Sequence, residues 1–152
     1  MYRKILVPLD GSGRAEAILP HVEELAHSFD AEVFFLQVIE PVYVYVDAHG
    51  YLVDMSVQDT RRESQKEEAR TYLNGLAGEF REKGIRAKAL LEEGSVVSTI
   101  IDVAEKVNAD LIAMASHGRT GLSRVFYGSV TAGVLHRVDR PLLLIRAENS
   151  QD

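Results

Sequence analysis

Short, almost continuous apolar runs recur along this chain, and helical-period segments separate them. Ile5-Leu6-Val7, Val33-Phe34-Phe35-Leu36 with Val38-Ile39, Leu111-Ile112-Ala113-Met114 and Leu142-Leu143-Leu144-Ile145 lack the in–out alternation of a half-exposed strand. Such runs suit strands covered on both faces. Arg86 to Leu91 reads as a further, weaker strand. Between them, Ala15, Ile18, Leu19, Val22, Leu25, Ala26 and Phe29 share one helical stripe, as do Ala69, Tyr72, Leu73, Leu76, Ala77 and Phe80. Val97, Ile100, Ile101, Ala104 and Val107 mark a third helix, and Thr131, Val134, Leu135 and Val138 a fourth. Alternation of this kind predicts an α/β fold, a parallel sheet with helices on both faces. Pro20 interrupts the first stripe and predicts a kink or a lost hydrogen bond there.

Residues 40–57 break the rhythm. Val42-Tyr43-Val44-Tyr45-Val46 alternates like a strand, and Asp47-Ala48-His49-Gly50 offers a turn before Tyr51-Leu52-Val53. A long connection with incidental strand character is favoured over a hairpin, lid or subunit contact. Gln58 to Glu68 is almost wholly polar, a solvated helical face or a mobile segment. With 152 residues and no internal repeat or linker, a single domain over 1–152 is expected.

Composition narrows the function classes. A net charge of −6 opposes general nucleic-acid binding, which needs a basic face to neutralise phosphates. No cysteine is present, so thiolate chemistry, disulfides and cysteine-based zinc sites are excluded. His21, His27, His49 and His136 lack metal-ligand spacing, and no metal site is assigned to protein side chains. No window approaches the ~20 apolar residues of a membrane span, and the amino terminus lacks a signal-peptide core, which predicts a cytoplasmic location with no membrane partner.

The chemistry concentrates near the carboxyl terminus. Met114-Ala115-Ser116-His117-Gly118-Arg119-Thr120-Gly121 leaves the fourth apolar run, and Gly128-Ser129-Val130 opens the last helix. Glycines at a strand-to-helix junction let backbone N–H groups approach an anion, and a helix amino terminus supplies unpaired donors. The plain alternatives are turn glycines and an N-cap at Ser129. A connection of about ten residues exceeds the ~2–6 usual for strand–helix loops, which favours the phosphate cradle. Asp10, in Pro8-Leu9-Asp10-Gly11-Ser12, follows the first strand and suits either an Asx turn or a ligand contact. Ser116 and His117 are neighbours on an extended backbone and point to opposite sides, so they form no nucleophile–base pair. Neither a Gly-x4-Gly-Lys-[Ser/Thr] phosphate loop nor a Gly-x-Ser-x-Gly elbow occurs.

On these residues the chain resembles the universal stress protein family, in its nucleotide-binding branch. That family's phosphate motif is glycine, two residues, glycine, nine residues, then glycine with Ser or Thr. Gly118, the nine residues 119–127 and Gly128-Ser129 match it, and Ala115 stands at the first glycine. The likeness extends to Lys4-Ile5-Leu6-Val7-Pro8 with Asp10, to Val38 and to Pro141. It implies an open, Rossmann-like five-stranded parallel sheet in the order 3-2-1-4-5, similar to the adenine nucleotide alpha hydrolases. It also implies ATP, with Mg2+, as the bound cofactor. Pro8, Leu9, Asp10 and Val38 would hold the ribose and base. Met114, Ala115, His117, Gly118, Arg119, Gly128, Ser129 and Val130 would hold the ribose and phosphates. A homodimer through the last strand, Leu142–Ile145, is implied as well, together with a protein partner not yet identified.

Ala115 forks the expectation. At a position needing positive φ an alanine costs roughly 1 kcal/mol or more. At a position needing only close approach its single methyl fits. The second branch keeps the site open. Without a phosphate-loop lysine, slow hydrolysis at best is expected, because fast phosphoryl transfer needs charge neutralisation and an oriented water. The competing functions are a nucleotide hydrolase or adenylate-forming enzyme, and a stress-family interaction protein that binds no nucleotide.

Overall fold

The computed structural model describes residues 1–41, 48–49, 55–117 and 128–147. Five strands form one sheet: β1 (Lys4–Pro8), β2 (Glu32–Ile39), β3 (Ala87–Glu93), β4 (Leu111–His117) and β5 (Leu142–Ala147). All pairings are parallel, and the order is β3-β2-β1-β4-β5. The expected order therefore holds. β3 starts one residue later than expected and runs on to Glu93, paired with Ile39.

Each strand feeds both faces, which is why the runs are continuously apolar. On one face Ile5, Val7, Val33, Phe35 and Ala113 pack with Val22 and Ala26 of α1 (Leu19–Phe29) and with Leu73, Ala77 and Phe80 of α2 (Met55–Glu82). On the other, Leu6, Phe34, Leu36, Ile112 and Met114 pack with Ile100 and Val103 of α3 (Val96–Val107) and Val134 of α4 (Ser129–Arg137). Phe35 and Phe80 meet edge to face, ring centres 4.9 Å apart.

Two expectations change, and one fork resolves to its helical branch. A 3-10 turn at Ala15–Ile18 precedes α1, which places Pro20 in the first turn of the α-helix. No intrahelical acceptor awaits an N–H there, so the proline costs nothing and produces no kink. The polar stretch 58–68 belongs to α2, which runs unbroken from Met55. Its Arg62 and Lys66 both pair with Glu93 at the end of β3. Leu135, on the expected stripe of α4, is exposed. The possible hairpin over 42–53 lies outside the described residues, apart from a turn at Ala48–His49.

Candidate functional site

The site begins where two neighbouring strands part. β1 pairs with β2 up to Pro8↔Leu36, and Leu9 N–H donates to the Leu36 carbonyl at 2.8 Å. Towards β4, β1 pairs only at Ile5↔Leu111 and Leu6↔Ile112. The backbone explains the asymmetry. The carbonyl of Arg3 and the N–H of Leu9 serve β2, whereas the carbonyl of Lys4 accepts from Asp110 beside β4. Polar groups along a strand alternate sides, so the next donor due towards β4 belongs to residue 8. That residue is proline and has no N–H to give. The sheet opens between β1 and β4, at the reversal of strand order, where ligands of open α/β sheets bind.

A cavity of about 300 Å³ fills this opening. Pro8, Leu9 and Asp10 line it from β1, Val38 from β2, Met114 and Ala115 from β4, and Gly128, Ser129 and Val130 from the start of α4. Nine of the expected site residues are thus brought together. His117 ends β4. Gly118 and Arg119 lie outside the described residues. Ala15, Leu36, Val96, Ile100 and Thr131 also line the cavity and were not foreseen. Ala15, Leu36 and Ile100 read in the sequence as ordinary core, and Val96 carried no reading. Thr131 read as one position of the α4 stripe, and Ser129 was the hydroxyl singled out at the start of that helix.

Asp10 does what an Asx turn requires. Its Oδ1 accepts the Ser12 N–H at 2.8 Å, and Ser12 Oγ accepts the Ala15 N–H at 3.2 Å. Gly11 between them has φ +83°, which glycine adopts without strain. One carboxylate oxygen therefore shapes the loop, and the exposed side chain stays at the cavity wall. Behind this loop Tyr72 Oη donates to Glu16 Oε1 at 2.7 Å, tying α2 to the 3-10 turn. Burial, then the bond to Glu16, pushes the Tyr72 phenol well above its ordinary value, and the charges of Glu16, Asp10 and Glu79 act in the same direction.

Ala115 lies within β4, paired with Ile145, and is not among the non-glycine residues of positive φ, which are Asp30 and Asn108. Its backbone is extended and carries no alanine penalty. The strained branch of the Ala115 expectation is removed.

The start of α4 is unusually bare. Its N-cap is Gly128, not Ser129 as one reading of the sequence had it, because Ser129 is already the first helical residue. Gly128 has no side chain with which to cap this end, and the first turn carries no acidic residue. The first backbone bond is Ala132 N–H to the Gly128 carbonyl, 3.0 Å, so the N–H groups of residues 129–131 precede it. Ser95 likewise caps α3 without a side-chain bond, and Val96 brings that terminus to the cavity. With no acidic side chain in either first turn, two helix dipoles present their positive ends to the cavity. Among the described lining residues Asp10 is the only charged side chain. No group of three metal-ligating side chains occurs among the described residues. Ser116 is buried in β4 and is no accessible nucleophile.

The family model that matches this chain is that of the universal stress protein family, over residues 1–146. Universal stress protein MJ0577 of Methanocaldococcus jannaschii is 31% identical, with 99% of this chain and 98% of that protein covered. A solved structure of MJ0577 superposes with a TM-score of 0.77, covering 99% of each chain. At 18% and 20% identity, two more structures share the fold. One is a universal stress protein in complex with cAMP, TM-score 0.66, covering 97% of this chain and 98% of that one. The other is the universal stress protein of Archaeoglobus fulgidus in complex with dAMP, TM-score 0.63, covering 95% and 98%. Matched along almost its whole length by the family model, the chain belongs to the universal stress protein family.

Proposed function

We propose that this chain binds an adenine nucleotide, ATP foremost, in the cavity between β1 and β4, and that occupancy regulates its association with other proteins. The single observation behind this reading is the cavity itself. An apolar slot from Leu36, Val38, Ile100 and Met114 meets the uncapped, glycine-opened start of α4 in one continuous space. A flat aromatic base suits the first part and a phosphate the second. Asp10, held by its turn, stands ready to accept from ribose hydroxyls. The cAMP and dAMP complexes of proteins with this fold agree with a mononucleotide of this class.

With no lysine or arginine among the described lining residues, phosphate charge would be met by backbone donors, by Arg119, by His117 and by Mg2+ carried on the phosphates themselves. That chemistry supports holding the nucleotide and at most slow hydrolysis. A switch would then rest on different nucleotide affinities of two states. β5 is an edge strand whose Leu142 to Ile145 remain half-buried, a surface suited to pairing with a second copy in the cytoplasm. Native mass spectrometry of freshly purified protein tests both points at once. The expected species is a dimer carrying close to one adenine nucleotide per chain. A ligand-free monomer that takes up no added ATP would overturn the reading.

A further inference from the structure

Asp10 serves a ligand only if the loop that carries it stays in place, and that loop is permissive by composition. Gly11 and Gly13 flank Ser12, Gly11 at φ +83°, and a Cβ added at Gly13 would meet no atom within 4 Å. Such a segment loses much conformational freedom on ordering. Two side-chain bonds close it upon itself, Ser12 N–H to Asp10 Oδ1 and Ala15 N–H to Ser12 Oγ, and join it to the 3-10 turn. The ends of this piece are held by Leu9 N–H on the Leu36 carbonyl and by the fully buried Ile18. Two anchored ends leave rotation about the line that joins them. Tyr72 reaches across from α2 to block it, donating to Glu16 Oε1 at 2.7 Å, one residue from Ala15 on the cavity wall. Its ring packs against the core, and the next residue, Leu73, is buried, so the donor stands on a fixed base. Raised by burial and by Glu16, the phenol keeps its proton at neutral pH and remains a donor.

We infer that Tyr72 is a positioning residue for ribose recognition: through Glu16 it fixes the Asp10 loop, so that the carboxylate meets the hydroxyls of a nucleoside in the cavity. The inference rests on the proposed nucleotide reading and adds a residue that touches no ligand and lies outside the glycine motif. Asp10 Oδ1 is committed to Ser12, so the ribose contact falls chiefly to Oδ2, whose direction follows the loop as a whole. A hydrogen bond weakens steeply as it bends, and a small tilt of the loop is enough to lose the contact.

Calorimetric titration with ATP and with its dideoxy analogue, which lacks both ribose hydroxyls, isolates this contact from general loosening. Wild type, Tyr72→Phe, Glu16→Ala, Glu16→Gln and the Tyr72→Phe/Glu16→Ala double variant are compared at a temperature where all are folded. Hydrogen bonds to a charged acceptor predict that wild type prefers ATP over the analogue by about tenfold or more. Tyr72→Phe and Glu16→Ala should each lose most of that preference, while affinity for the analogue stays within about twofold of wild type. The double variant should lose no more than either single one, because the two residues act through one bond. Glu16→Gln keeps an acceptor oxygen and should keep the preference. A Tyr72→Phe protein with the full preference would overturn the inference. So would equal weakening of both ligands, which is the mark of a purely structural role. Wild-type protein that binds both ligands equally would also overturn it, yet would leave the nucleotide reading standing. Wild-type protein that binds neither would remove that reading, and this inference with it.

Discussion

The two ends of the sheet are built on opposite principles. At the amino end, charged side chains bond several backbone groups. Asp110 accepts from the N–H groups of Arg3 and Lys4 at 2.7 and 2.9 Å, and Lys4 Nζ donates to the Val107 carbonyl at 3.1 Å. Arg140 spans the Ala104 and Ala109 carbonyls at the end of α3, both at 2.9 Å. At the carboxyl end the N-cap residues of α3 and α4 make no side-chain bond to their helices, and Pro8 withholds a donor. One end uses polar side chains to secure the fold, and the other leaves backbone donors free for a ligand. Stability and binding are thus separable by position.

The sharpest way to break this comparison is Asp110→Ala. Two bonds to a charged acceptor are lost at once, and stability should fall by about 2–3 kcal/mol. The affinity of the remaining folded protein for nucleotide should hold, as read by urea melts alongside titration. A large affinity loss would mean that the two ends are coupled.

Tyr72→Phe tests the tie between α2 and the loop behind Asp10. Losing one hydrogen bond should cost about 1 kcal/mol at neutral pH. The phenol is raised in the folded state, so its contribution is complete below its ordinary value, about pH 10, and fades as pH rises beyond it. Wild-type stability should therefore decline more steeply than that of Tyr72→Phe above pH 10. Parallel slopes in alkaline urea melts would contradict the assignment.

The smallest effect belongs to Ala115→Gly. Because Ala115 is extended strand, glycine relieves no strain there and should destabilise by about 0.5–1 kcal/mol through backbone entropy. Nucleotide affinity should stay within about twofold of wild type, well under the tenfold that 1.4 kcal/mol would produce. A marked gain in affinity would show that the alanine methyl obstructs the cradle.

Much of this was legible in the residues because local chemistry and tertiary role coincide. Val7, Phe35 and Ile112 lie in runs that only a doubly covered strand satisfies, and all three are fully buried. Asp10-Gly11 announced a turn and makes one. Where a residue's role depends on what lies across a gap, the signal failed. Pro20 looked disruptive because the 3-10 turn before it was not foreseen. Leu135 fitted the helical stripe, yet it lies exposed.

By itself, then, the sequence determined the alternation of elements, the faces they bury and the glycine-rich junction, since these follow from periodicity and backbone permissiveness within a few residues. Only the tertiary structure decided that Ala115 is unstrained, that Ile100 and Val96 of α3 wall the same cavity, and that Thr131 lines it too. Those outcomes depend on distances between segments far apart in the chain, set by how the helices pack across a sheet that opens at Pro8.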